Sequence, residues 1–305
     1  MRPLSLHAQS PGIDKPLLFA VLGLVIFGVL MVFNASGVDA AKTFGDQFYF
    51  AKRQALWGIV GISALFVFSF LPYTILRRVA VPIFAAALIL LVAVLIPGFG
   101  IATLGASRWI EAGPVSIQPG EFAKLALIIF LASLLSQKQS LLSFLLPVVF
   151  VAGLVMLQPD LGTTGIIVLI GVVLYFASGA PIWYFLGLLP LLALSTLIMV
   201  LTSSYRKERL LTFLNPENDP LGASYHIRQI LLALGSGGLF GVGLGQSRQK
   251  YLFLPEPMTD SIFAIIGEEL GFIGATAVLV AFIFVVWRGL NIVGQTHDPF
   301  GKLLA

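Results

Sequence analysis

The chain has 305 residues, of which 58% are hydrophobic and 10% charged. Soluble globular domains carry about 25% charged residues, so this composition places the chain in a membrane. With no Cys it has no thiolate nucleophile, no disulfide and no Cys-held metal or haem. Its three His, at 7, 226 and 297, are too scattered for a metal cluster. The formal net charge of +4 suits anionic lipid head groups, though only weakly so in a membrane protein.

A helix needs about 20 mostly apolar residues to cross the hydrocarbon. Eight stretches qualify: roughly 16–35, 54–71, 79–97, 121–137, 141–158, 162–178, 182–201 and 262–287. The polar start MRPLSLHAQSPGIDKP leads into a long apolar run without a small-residue cleavage site. That run reads as a first spanning helix and not as a removed signal. Residues 161–205 carry no charge, and ASGAP (177–181) divides them into two helices. The expectation is an all-α polytopic bundle: one membrane domain over 1–305 with eight transmembrane helices and both ends on one side. A long connection at about 202–260 separates the seventh helix from the eighth.

Basic residues favour a cytoplasmic N-terminus weakly. Seven fall on that side: Arg2, Lys15, Arg77, Arg78, Lys138, Arg288 and Lys302. Ten fall outside, but six of these lie in the long connection, where charge directs insertion little. Within that connection YRKERLL (205–211) suits a short interfacial helix. NPENDP (215–220) is turn chemistry. ALGSGGLFGVGLGQ (233–246) then packs six glycines into eleven residues, 235–245. Irregular backbone of this kind is tolerated at membrane depth only when buried in protein or lining a cavity. No P-loop or GxGxxG occurs, and neither nucleotide nor nucleic acid is expected as a ligand.

Ionisable groups inside spans mark candidate sites. In PGEFAKLAL (119–127), Glu121 and Lys124 share a helix face and are readable as a self-neutralising pair. Upstream, GASRWIEAGP carries Arg108, whose fork suits phosphate, and Trp109, which suits an interfacial belt or a sugar face. In LQPDLGTTG (157–165), Asp160 reads as a helix N-cap. The stretch PEPMTDSIFAIIGEE (255–269) holds Asp260, another cap candidate, and the pair Glu268 and Glu269 about 12 Å deeper. Capping does not account for two glutamates at that depth. With the N-terminus inside, Arg108, Glu121, Asp160 and Asp260 all fall near the outer face, as if lining one polar cavity. Carboxylates with cations suit chemistry on an anionic, lipid-linked substrate.

These stretches resemble the SEDS family (shape, elongation, division and sporulation), to which FtsW, RodA and SpoVE belong. The resemblance rests on GASRWIEAGPVSIQPGEFAKLAL, QPDLGTT, RLLTFLNPENDPLGASYHIRQ, ALGSGGLFGVGLGQSRQK and LPEPMTDSIFAIIGEELGFIG, and is nearer FtsW and SpoVE than RodA. It implies a peptidoglycan glycosyltransferase of the cytoplasmic membrane. Such an enzyme polymerises lipid II on the outer side and works with a class B penicillin-binding protein. It also implies a catalytic role for Asp260 and a cavity lined by Arg108, Trp109, Glu121, Lys124 and Asp160. Glu121 and Asp160 are the candidates for a divalent cation, Mg or Mn. Asp260 is then expected to be the general base of an inverting transfer, and Glu268 and Glu269 to hydrogen-bond neighbouring helices or a cavity floor. The family usually has ten spans, and its last two helices have no counterpart after DPFGKLLA, so either the sequence is a fragment or this member is short. Two other classes of function fit the same acids: a flippase for the lipid-linked precursor, and a scaffold that recruits a division enzyme.

Overall fold

The computed structural model describes residues 13–103, 106–112, 115–203, 207–208, 210–212, 224–250 and 258–305. Each of the eight expected spans is a helix. They are α1 (Lys15–Phe44), α2 (Tyr49–Phe70), α3 (Thr74–Ala93), α4 (Pro119–Leu135), α5 (Leu141–Met156), α6 (Leu161–Ala177), α7 (Ile182–Leu201) and, after α8 (Tyr225–Ser236), α9 (Ile262–Gln295). A short α10 (Pro299–Leu304) follows. Five of them, α1, α2, α3, α7 and α9, are long and apolar enough to cross a membrane. The chain is therefore a multi-pass membrane protein. The helices α4, α5 and α6 are shorter, at 16 or 17 residues.

The fold is mostly helical, not all-α as expected. Three short strands, β1 (Ile101–Thr103), β2 (Ala106–Ala112) and β3 (Val115–Ile117), form an antiparallel sheet between α3 and α4. Trp109 pairs with Ile101, and Ile110 pairs with Ile117. Aromatic and β-branched residues favour such pairing, and a search for apolar runs passes over segments this short. Two helices also outrun their expected ends. Hydropathy falls after residue 35, but α1 continues to Phe44 and stops at Gly45, whose φ of 70° ends it in a left-handed cap. A helix does not end where the hydrocarbon does. The interfacial helix expected at 205–211 lies partly outside the described residues; 207–208 and 210–212 are helical. The turn expected at 215–220 lies outside them altogether.

Contacts gather the chain into two compact units, Met1–Phe70 with Leu192–Gly289, and Leu71–Leu191 with Leu290–Ala305. In the second, α3, α4, α5 and α6 pack around Leu91, Leu127, Leu131, Phe144, Val148, Ile167 and Tyr175. Small residues bring the helices close. Ala123, Ala126 and Ala132 of α4 are fully buried, and a Cβ on Gly171 of α6 would sit 2.5 Å from Val148 of α5. Phe144 and Tyr175 stack across α5 and α6 at 4.6 Å. In the first unit, Met31 and Ala35 of α1, Ala233 of α8 and Ala264, Ile265 and Ile266 of α9 form the core. Asp14 caps α1 by accepting from Leu17 N–H at 3.0 Å, and Arg288 of α9 donates to it at 2.6 Å.

Candidate functional site

In the second unit the structure brings together three stretches that lie far apart in sequence. Arg108, on β2, donates from Nε to the Gln158 carbonyl at 3.2 Å and from Nη2 to the Pro159 carbonyl at 2.6 Å. Gln158 is buried, and its side chain reaches the Leu91 carbonyl at 3.4 Å. Asp160 then caps α6. One oxygen accepts from Thr163 N–H at 3.0 Å and the other from Thr163 Oγ1 at 2.9 Å. The start of α4 lies against this cap, since a Cβ on Gly120 would meet Thr163 Cγ2 at 3.2 Å. One turn into α4, Lys124 Nζ is 2.8 Å from Glu121 Oε1, with the lysine mostly covered and the glutamate open. Trp109 follows Arg108 on β2, so it points to the opposite face, and it is exposed. The result is a cluster of two cations, Arg108 and Lys124, and two carboxylates, Glu121 and Asp160, at the starts of α4 and α6.

Asp260 stands in the first unit, in the turn that leads into α9. It is exposed, and among the described residues it makes no hydrogen bond or ion pair. The next residue, Ser261, is 1% exposed, and its Oγ lies 2.7 Å from Nε2 of His226 on α8.

Eight and nine residues beyond Asp260 the surroundings reverse. Glu268 and Glu269 are 2% and 1% exposed. Glu268 accepts from Arg248 N–H at 3.0 Å and from Ser247 Oγ. Glu269 accepts from Gly245 N–H at 3.0 Å, Ser247 N–H at 3.2 Å, Lys250 Nζ at 3.1 Å and the Asn34 amide. Lys250, itself buried, completes its set with Asn34 Oδ1 at 2.9 Å and the Gly245 carbonyl at 2.7 Å. The glutamates thus hold the glycine-rich segment, and through Asn34 they also reach α1.

The backbone explains the glycines. α9 breaks at Gly271, where φ is 69°. The break frees the Glu268 and Glu269 carbonyls, which accept from Val242 at 2.9 Å and Gly243 at 3.1 Å. It also frees the N–H groups of Phe272 and Ile273, which donate to Gly238 at 2.9 Å and Leu239 at 3.2 Å. These four backbone groups, bared by the break, are met by the glycine-rich segment. Such stitching needs contact without side chains: a Cβ on Gly241 would lie 2.1 Å from the Glu269 carbonyl oxygen. The sequence marked this segment as buried or cavity-lining, but not its partners. Asn34, Ser247, Lys250 and His226 carry no spacing signal that joins them to residues 261–269.

The architecture is that of a polytopic membrane protein with a cluster of charged residues at helix starts in one unit and, in the other, a broken, glycine-stitched helix preceded by an open aspartate. The chain matches the cell cycle protein family of FtsW, RodA and SpoVE over residues 15–305 and belongs to that family. It is 46% identical over 301 residues to stage V sporulation protein E of Bacillus subtilis (strain 168), an alignment covering 96% of this chain and 82% of that protein. It is 40% identical over 300 residues to the probable peptidoglycan glycosyltransferase FtsW of Trichlorobacter lovleyi, covering 96% and 79%. Among solved structures it is similar to a chain of a peptidoglycan synthase complex that coordinates polymerization and crosslinking (TM-score 0.74, 27% identity, 95% of this chain and 81% of that one). It is also similar to the rod shape determining protein RodA of Thermus thermophilus (TM-score 0.67, 26% identity, 95% and 78%).

Proposed function

We propose that the chain is a peptidoglycan glycosyltransferase that polymerises lipid II into glycan strands at the outer face of the cytoplasmic membrane during cell division. Its relatives carry that name, and its fold is like that of a synthase-complex chain. The observation that carries the catalytic assignment is a difference in commitment among five carboxylates. Glu121 is paired with Lys124, Asp160 caps α6, and Glu268 and Glu269 each have both oxygens bonded by donors. Only Asp260 of these five has both oxygens free of partners among the described residues. A general base must have a lone pair available to the proton it removes.

In the proposed step, Asp260 takes the proton from the acceptor sugar's 4-hydroxyl. That oxygen bonds to the donor's anomeric carbon from the face opposite the leaving group. The bond from that carbon to the diphosphate breaks, and undecaprenyl pyrophosphate departs with the electron pair, inverting the centre. Arg108 and Lys124 meet the diphosphate charge, Arg108 by its fork geometry. Two of its nitrogens hold backbone carbonyls, which fixes the guanidinium plane. Glu121 orients Lys124, and Trp109 offers a face to a sugar ring. Glu121 and Asp160 are also the residues that would hold a divalent cation, Mg or Mn. Magnesium is commonly bound by one or two carboxylates together with substrate phosphates, and Glu121 has an oxygen to spare. Such an ion would add positive charge beside the diphosphate.

All eight apolar helices, the shorter α4, α5 and α6 included, act as spans, with the N-terminus inside and a class B penicillin-binding protein as the crosslinking partner. Purified protein in detergent should convert lipid II to polymer, where nothing needs flipping. A flippase or a bare scaffold makes none, and that result would overturn the enzymatic reading.

A further inference from the structure

A base with no partners of its own has nothing on its side chain to aim it. Its direction must come from the backbone on which it stands. In this chain the residue after Asp260 is fixed on both sides of its Cα. The Ser261 hydroxyl is buried and bonded to His226 Nε2 at 2.7 Å. The Ser261 carbonyl accepts from Ala264 at 3.0 Å and from Ile265 at 3.3 Å, opening α9. Consecutive Cα atoms are about 3.8 Å apart across a planar peptide, so fixing residue 261 fixes where residue 260 departs.

The imidazole is itself held on a firm element. α8 lies on the first two turns of α9: Ala233 is fully buried with Ala264, Ile265 and Ile266. Leu234 leans on Gly267, where a Cβ would sit 2.5 Å from Leu234 Cδ2. Two turns below Ser261, the glutamate clamp holds the other end of this stub through the Gly245, Ser247 and Arg248 N–H groups. The segment 261–269 is therefore a braced pedestal, and His226 is the brace nearest its top.

We propose that His226 is a positioning residue: through the Ser261 hydroxyl it holds the turn that presents Asp260 to the acceptor hydroxyl. This rests on the reading of Asp260 as the base. Displacement of a reacting group by about 1 Å costs on the order of a hundredfold in rate, so loss of the brace should show in turnover and not in substrate affinity.

The test is a double-mutant cycle with lipid II polymerisation in detergent. His226→Ala and Ser261→Ala should each lower kcat by about ten- to a hundredfold with KM little changed. Because both cut one bond, the double variant should be no slower than the slower single one. His226→Gln, whose amide can either donate to or accept from the Ser261 hydroxyl, should recover part of the loss. Melting temperatures measured alongside separate misfolding from misplacement. Wild-type kcat in either single variant, losses that multiply in the double, or losses that track melting would each overturn the proposal. Asp260→Asn in the same assay separates the two layers. If it is inactive while His226→Ala turns over normally, only the positioning role falls; if it is active, the base reading falls and this one with it.

Discussion

Asp260 and the pair Glu268 and Glu269 lie within ten residues of one another and belong to one motif, yet they occupy opposite states. Asp260 is open and unpartnered among the described residues. The glutamates are sealed from solvent and surrounded by donors from Asn34, Gly245, Ser247, Arg248 and Lys250. An acid inside a membrane protein is thus not a catalytic group by virtue of its depth. What separates the two roles is how many lone pairs the fold has already used. In the proposed mechanism, carboxylates with both oxygens held anchor structure, and the one with both oxygens free of partners among the described residues does the chemistry.

The comparison can be broken by removing each kind of acid. Asp260→Asn preserves shape and removes basicity. It should lower polymerisation by about 10²- to 10⁴-fold, the usual contribution of a general base, with an unchanged melting temperature. Glu269→Gln leaves Lys250 buried without its counter-charge, which should cost about 3–5 kcal/mol of stability, read as a lower melting temperature in detergent. Gly241→Ala pushes a methyl into the Glu269 carbonyl at a residue with φ of 81°, and should cost about 1–3 kcal/mol by the same measurement. Asp160→Ala removes the cap of α6 and should cost about 0.5–2 kcal/mol.

The smallest effect concerns Asp14. The Leu17 N–H and then Arg288 hold its carboxyl below the ordinary 3.8. Its contribution is therefore present above pH 3.8 and lost as the pH falls through the lower folded value. Asp14→Asn should lower the melting temperature slightly at pH 7, and the gap to wild type should close under acid.

Much of the fold was legible because hydrocarbon imposes length: all eight apolar runs are helices. The sheet at 101–117 was not, since β1 and β3 are three residues each and carry no apolar run. The cluster of Arg108, Glu121, Lys124 and Asp160 was legible as residue types, and Asp160 and the Glu121–Lys124 pair behave as plain helix chemistry predicts. The partners of Glu268 and Glu269 were not legible. Their bonds reach back 235 residues to Asn34 and 24 to Gly245, and no local period records such closures. The glycines at 235–245 signalled backbone buried in protein or lining a cavity, but only the broken helix shows that Gly237 and Gly241 lie against the backbone of α9.

The most direct test measures turnover and melting side by side for two variants of the one motif, Asp260→Asn and Glu269→Gln. The account predicts a crossed outcome: Asp260→Asn melts like wild type and makes almost no polymer, whereas Glu269→Gln melts markedly lower. Polymer at the wild-type rate from Asp260→Asn, or wild-type melting in Glu269→Gln, would contradict it.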